Sequence, residues 1–145
     1  MKGRPRVEPG LLEEEEPCAL VLLVDDQAMV AAAIERALQG EKAIHFHYCS
    51  NPLEAFSLAE RLNPTVILLD LVMPEVDGLT MLRQFRAHPE TAHTPIVVLS
   101  GNDEPKTKSD LFAAGASDYI VKLPDHLELV ARIRHHSQAC IHRRQ

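Results

Sequence analysis

The chain has 145 residues, a hydrophobic content of 46%, a charged content of 25% and a formal net charge of −6. That length suits one ordinary domain burying about 68 to 70% of the surface its unfolded chain exposes, with no room for a second folded module. The acidic balance disfavours nucleic acid, no apolar stretch approaches the ~20 residues of a membrane span, and Met1-Lys2-Gly3-Arg4 does not lead into the apolar core of a signal peptide, so a cytoplasmic protein is expected.

Residues 1–18 hold Pro5, Pro9, Gly10, Pro17 and the run Glu13 to Glu16, with few large apolar side chains, and form an acidic tail expected to be disordered. From Leu20 a strict alternation begins. Leu20 to Val24 is an apolar run ending in Asp25-Asp26, and the spacing predicts a helix over 27–39. A second strand, Ala43 to Cys49, carries His45 and His47 on one face, as an edge strand tolerates. Asn51-Pro52-Leu53-Glu54 then opens a helix over 52–62 with a capping Asn, Pro at the first helical position and Glu placed to reach back. Thr65 to Leu69 is a third strand, ending in Asp70, with a helix over 79–87 beyond the turn signal Asp77-Gly78. Pro95 to Leu99 is a fourth strand, followed by Ser100-Gly101 and a helix over 105–114. Asp118 to Val121 is the fifth, followed by Lys122 and, after the capping box Asp125-His126-Leu127-Glu128, a helix over 125–142.

Strands alternating with helices in this way give an α/β doubly wound five-stranded parallel sheet with five helices in three layers, because each crossover is right-handed and both faces must be covered. Ligand groups then gather beyond the carboxyl ends of the strands, where Asp25, Asp26 and Asp70 converge. Close carboxylates raise one another's pKa unless something positive lies between them, so the cluster implies a hard cation or a shared proton. Capping of the first helix is the plainer role for Asp25 and Asp26, and the two roles coexist.

The first strand-to-helix turn, Asp25-Asp26-Gln27-Ala28-Met29, lacks the glycine that a dinucleotide or P-loop site needs to bring amides to phosphate. Its charge suits Mg²⁺, which binds through one or two carboxylates plus phosphate oxygens. Asp70, flanked by the acidic pair, the Ser100 hydroxyl and the Lys122 ammonium, reads as a nucleophilic acceptor for phosphoryl transfer. Cys18, Cys49 and Cys140 have neither disulfide-framework nor zinc spacing. His135-His136 and His142 read as the polar face of a solvated helix, since adjacent helical side chains point about 100° apart.

At this point the chain resembles the receiver domain of bacterial response regulators over residues 19–136, on the pair Asp25-Asp26, the segment Asp70-Leu71-x-Met73-Pro74-x-x-Asp77-Gly78, Ser100-Gly101, and Tyr119 three residues before Lys122. The resemblance implies a flavodoxin-like strand order 2-1-3-4-5 and phosphorylation of Asp70 by a histidine kinase. It implies Mg²⁺ held by Asp26, Asp70 and the Val72 carbonyl, with Asp25 acting through water, and Ser100 and Lys122 on the phosphoryl group. Ser100 and Tyr119 are the implied switch pair, and Val72 and Asn102 are the positions that tune phosphoryl lifetime. The stretches Val24 to Met29 and Val121 to Pro124 look further like the receiver half of Wsp-type regulators that carry a diguanylate cyclase. In one respect the chain departs from the family: Leu123 stands where Pro usually follows the Lys, which leaves the reach of Lys122 open.

Two other classes fit these residues less well. An aspartate-nucleophile phosphatase of the haloacid dehalogenase type carries a second Asp two residues after the nucleophile, where this chain has Val72. A pseudo-receiver serving only as an interaction module normally lacks one of the acidic or Lys positions. Residues 137–145 are expected to extend the last helix towards an output domain or protein target. Val130, Ile133, Ser137, Cys140 and Arg144 recur at three- and four-residue steps, a seam expected to support a weak homodimer, with Val130 and Ile133 facing their own sheet as the equal alternative for the first part of the helix.

Overall fold

The computed structural model describes residues 18–71, 73, 77–101, 105–122 and 124–145. The expected tail lies outside these residues except for Cys18, and so do Val72, Asn102 and Leu123.

The elements run β1 Ala19–Val24, α1 Ala28–Leu38, β2 Ile44–Cys49, a 3-10 turn Pro52–Glu54, α2 Ala55–Leu62, β3 Val66–Asp70, α3 Gly78–Ala87, β4 Ile96–Ser100, α4 Pro105–Ala113, β5 Asp118–Val121 and α5 His126–Arg144. All strand pairs are parallel and their spatial order is β2-β1-β3-β4-β5, the expected 2-1-3-4-5. β1, β3 and β4 lie inside the sheet, which is why they are near-continuous apolar runs rather than alternating ones. β2 is an edge and leaves His45 and His47 exposed.

Helices cover both faces. Val30, Ala31, Ile34 and Leu38 of α1, with Leu129, Val130 and Ile133 of α5, pack on Val21, Leu23, Leu68 and Leu99. Ala55 and Ala59 of α2, Met81, Leu82 and Phe85 of α3 and Leu111 of α4 pack on Leu22, Val24, Leu69 and Val98 from the other side. Odd and even residues of β1 thus feed two cores, as the strand period requires.

Four differences from the sequence expectations have physical causes. The helix expected at 52–62 begins as a 3-10 turn: Asn51 Oδ1 accepts from the Leu53 amide at 3.0 Å and the Glu54 amide bonds back to the Asn51 carbonyl at 3.0 Å. The capping box at α5 is half made, because Asp125 Oδ2 accepts from the Leu127 amide at 3.0 Å while Glu128 pairs with Arg132 instead of reaching back. β3 and β4 each run one residue further, so Asp70 and Ser100 are the last residues of their strands.

The fourth concerns self-association. The seam on α5 is turned into its own domain: Val130, Ile133, Ser137 and Cys140 are buried, Ser137 Oγ lies 2.9 Å from Thr65 Oγ1, and Arg144 Nη2 donates to the Pro64 carbonyl at 2.9 Å. A three-and-four repeat records only that one helix face is apolar, not which chain covers it. α5 also passes unbroken through residue 137, where the extension is expected to begin.

Candidate functional site

Strand register brings the acidic residues together. Val24 of β1 pairs with Leu69 of β3, so the next residues in each strand, Asp25 and Asp70, leave the sheet side by side. Asp70 pairs with Leu99 of β4, and Ser100 with Val121 of β5, which carries the site outward to Lys122. The Lys122 amide donates to the Ser100 carbonyl at 2.8 Å and anchors the start of the loop that bears the ammonium.

Lys122 Nζ donates to Asp70 Oδ1 at 2.8 Å and pairs with Asp25 Oδ2 at 3.3 Å. Its reach is therefore intact despite Leu123 in the place of Pro. Asp25 and Asp70 are buried, Asp26 is exposed, and one carboxylate oxygen from each lies within 4.8 Å of the others. Among the described residues, these three carboxylates against the Lys122 ammonium give a formal charge of −2 at the mouth of the sheet.

The electrostatics record that imbalance. Burial pushes the Asp25 carboxyl above its usual range and the neighbouring Asp70 charge adds to this, against the Gln27 amide, which donates to Asp25 Oδ1 at 2.8 Å, and against Lys122. For Lys122, burial works against the charge, yet the Asp70 hydrogen bond and the charges of Asp25 and Asp70 outweigh it and raise the ammonium above its ordinary value. The N-cap position of α1 is held by Gln27, whose side chain makes no capping hydrogen bond, so Asp25 is not the N-cap. The oxygens of an Mg²⁺ shell lie across a span of about 4.2 Å, close to the spread of these three groups.

Ser100 is buried at the end of β4, and Tyr119 of β5 is buried on the α3–α4 side of the sheet. Tyr119 Oη is enclosed with no hydrogen-bond partner among the described residues, and Lys108 Nζ lies 5.4 Å from the centre of its ring. Val72 and Asn102, the carbonyl and lifetime positions that the resemblance implies, lie outside the described residues.

Several contacts had no sequence signal. Lys108 over Tyr119 is one. Arg86 of α3 is another: its guanidinium donates to the carbonyls of Gly115, at 2.9 Å, and Thr94, at 2.6 Å, tying the β3–β4 and α4–β5 crossovers together. Asp118 accepts from Arg132 Nη1 at 2.7 Å and lies 3.0 Å from His136 Nε2, fastening β5 to α5. Although burial opposes it, the His136 and Arg132 hydrogen bonds hold the Asp118 carboxyl below its usual range. Tyr48 of β2 is the fourth, its hydroxyl enclosed and its pKa raised by burial first and then by Asp25 and Asp26.

Comparison with known proteins gives this constellation a context. A family model described as "Response regulator receiver domain" matches residues 21–134. The chain is 36% identical over 114 residues to the transcriptional regulatory protein SrrA of Staphylococcus aureus, covering 79% of this chain and 46% of SrrA, so it spans about half the length of that curated relative. Among solved structures, the BeF3-activated N-terminal receiver domain of Klebsiella pneumoniae RstA superposes with a TM-score of 0.73 at 30% identity, covering 81% of this chain and 97% of that one. The chemotaxis protein CheY4 of Vibrio cholerae superposes with a TM-score of 0.75 at 25% identity, covering 81% and 98%.

Proposed function

The chain belongs to the response regulator receiver domain family, and from that premise we propose that it is a phosphoacceptor switch of two-component signalling, taking a phosphoryl group from a histidine kinase onto Asp70. The observation that carries the reading is the Lys122 ammonium on Asp70 Oδ1 at 2.8 Å, beside carboxylates gathered within 4.8 Å. A carboxylate oxygen of Asp70 attacks phosphorus, the P–N bond to the kinase histidine breaks as the P–O bond forms, and the imidazole leaves with the electron pair and takes a proton from water. Lys122 moves its charge from the carboxylate to the phosphoryl oxygens, and the Ser100 hydroxyl donates to another.

The charge of −2 and the oxygen donors fit Mg²⁺, which Asp26, Asp70 and the Val72 carbonyl would hold, with Asp25 acting through water. When bound, the ion neutralises phosphoryl oxygens. Val72 is aliphatic and cannot orient a water, so it favours a long-lived acyl phosphate, and Asn102 is the second position that tunes that lifetime. Ser100 and Tyr119 relay the state of Asp70 to the outer surface. Residues 19–136 form the phosphoacceptor unit, and 1–18 and 137–145 flank it. An ATP-dependent kinase as donor implies a cytoplasmic location. What the unit controls, whether protein contact or an attached output such as a diguanylate cyclase, belongs to the whole protein.

The competing phosphatase reading lacks its general acid, since Val72 stands two residues after Asp70. A pseudo-receiver would not need Lys122 poised on Asp70. Acetyl phosphate with Mg²⁺ separates these: the expected product gains the mass of one phosphoryl group, and Asp70→Asn, near-isosteric but not nucleophilic, gains none. A variant that still takes up the group would remove Asp70 from its role.

A further inference from the structure

We propose that the acidic segment Leu11 to Glu16 docks along a groove beneath the last turns of α5, its glutamates paired with the cations at the end of that helix. The groove lies at the amino ends of β1 and β2, whereas Asp70 closes the carboxyl end of β3. The inference therefore goes beyond phosphoryl transfer and does not rest on it.

The sheet brings the two partners together. Thr65 Oγ1 accepts from the Leu20 amide at 2.8 Å and lies 2.9 Å from Ser137 Oγ, so β1 begins beneath the second half of α5. Ala19, the first residue of β1, lines a groove of about 250 Å³ with Ala43, Ile44, Arg134, Ile141 and His142. That is room for side chains rather than for single water molecules. Ala19 and Ile44 are buried while Arg134 and His142 are exposed, so an apolar floor carries a cationic rim. The segment Leu11-Leu12-Glu13-Glu14-Glu15-Glu16 has the matching composition and joins the groove through Pro17, Cys18 and Ala19. An extended chain covers about 3.3 Å per residue and a helix advances about 1.5 Å, so the segment back to Glu13 reaches about 20 Å, beyond the roughly 17 Å of α5 from Arg134 to Gln145.

The charges of α5 are unevenly matched. Arg132 pairs with Asp118 and Glu128, and Arg134 with Glu41. Arg143 instead donates to the His93 carbonyl at 2.7 Å and Arg144 to the Pro64 carbonyl at 2.9 Å. Glu90 lines a neighbouring cavity with both arginines, yet among the described residues neither guanidinium forms an ion pair. A carbonyl satisfies the hydrogen bond without cancelling the charge, and the helix dipole offers only about half a negative charge at that end. After Glu128 the helix has no acidic residue to supply the rest, whereas Glu13 to Glu16 are four in a row. A segment too polar to fold alone orders where opposite charge meets it, and its tether keeps it at a high local concentration, so weak exposed pairs suffice. Once docked, it covers the end of α5 and competes with any partner for that surface.

The test uses the ¹⁵N-labelled full chain at low salt. The heteronuclear NOE of Leu11 to Glu16 and the amide shifts of residues 138–145 are read in the parent and in a variant carrying Glu13→Gln, Glu14→Gln, Glu15→Gln and Glu16→Gln together. The NOE alone is read in Arg143→Gln/Arg144→Gln, and the core amides of Leu22 and Leu68 report that each variant is folded. The expected result is an ordered segment in the parent and a ratio of docked to free segment roughly fivefold lower in both variants. The parent should lose the same order in about 1 M salt, where screening acts within ~3 Å. If the fourfold glutamine variant keeps the NOE values and the 138–145 shifts of the parent, the proposal fails. A segment that stays ordered in Arg143→Gln/Arg144→Gln has another partner, which also overturns it. Order that falls away on dilution at constant salt places the segment on a second copy of the chain and overturns docking within one chain.

Discussion

Asp25 and Asp70 share one ammonium, and that shortage governs the behaviour of the site without metal. The Asp25 carboxyl is raised by burial and by Asp70, so the folded state binds its proton more tightly than the unfolded chain. A raised acid contributes stability that is fully present below the unfolded value of 3.8 and is lost as pH rises through the folded one, which leaves ionised Asp25 as a cost at neutral pH. Asp25→Asn should therefore stabilise the metal-free domain by roughly 1 kcal/mol near neutral pH, with less gain as the pH falls towards 4. Urea unfolding at two pH values checks it, and equal or lower stability of the variant at neutral pH would overturn the account. At this scale the candidate site residues were readable because each is a polar residue at the end of an apolar run, where the sheet must open to water. Arg86, Lys108 and the Asp118–Arg132–His136 contacts were not, because they join different elements and leave no local period. Arg86 caps carbonyls rather than a carboxylate, so no charge pattern marks it either.

Elements were legible to within a residue or two because their signals are periodic. Their ends were less so, since these depend on which neighbour accepts a backbone bond. β3 continues to Asp70 because the Leu71 amide still finds the Leu99 carbonyl at 3.0 Å. The start of α3 is fixed by a close approach: the Gly78 amide donates to the Leu71 carbonyl at 3.0 Å, and a Cβ on Gly78 would stand 2.5 Å from that oxygen. Asp77-Gly78 is thus more than a turn signal, because it lets the helix sit against Leu71, the residue after Asp70. Gly78→Ala must move backbone rather than a side-chain tip and should cost about 1 to 3 kcal/mol. Since Leu71 adjoins Asp70, the displacement should also weaken Mg²⁺ binding. Unfolding midpoints with a metal titration test both parts, and a variant as stable as the parent would show that the loop yields freely.

On the scale of the whole molecule, the strand order β2-β1-β3-β4-β5 explains why chemistry and stability oppose one another. It puts β1 and β3 side by side in the middle of the sheet, and two cores, one on each face, fix their ends. The acidic residues are consequently forced together by the packing that makes the fold stable. That order was implied by family resemblance rather than by periodicity, which fits either common doubly wound order. Which surface meets the apolar face of α5 was likewise open in the sequence, and the fold turns Val130, Ile133, Ser137 and Cys140 into the domain. The forced convergence has a thermodynamic signature. A cation that binds only the folded cluster stabilises the domain by about 2.7 kcal/mol at a hundredfold excess over its Kd. Mg²⁺ should therefore raise the urea midpoint of the parent with little effect on Asp26→Asn, whose exposed carboxylate completes the set with little part in packing. The same addition should act weakly on Asp70→Asn, in which one ligand charge is gone. Calorimetry gives the affinities independently, and a parent whose midpoint ignores Mg²⁺ would mean that the −2 charge is carried as repulsion rather than held ready for a metal.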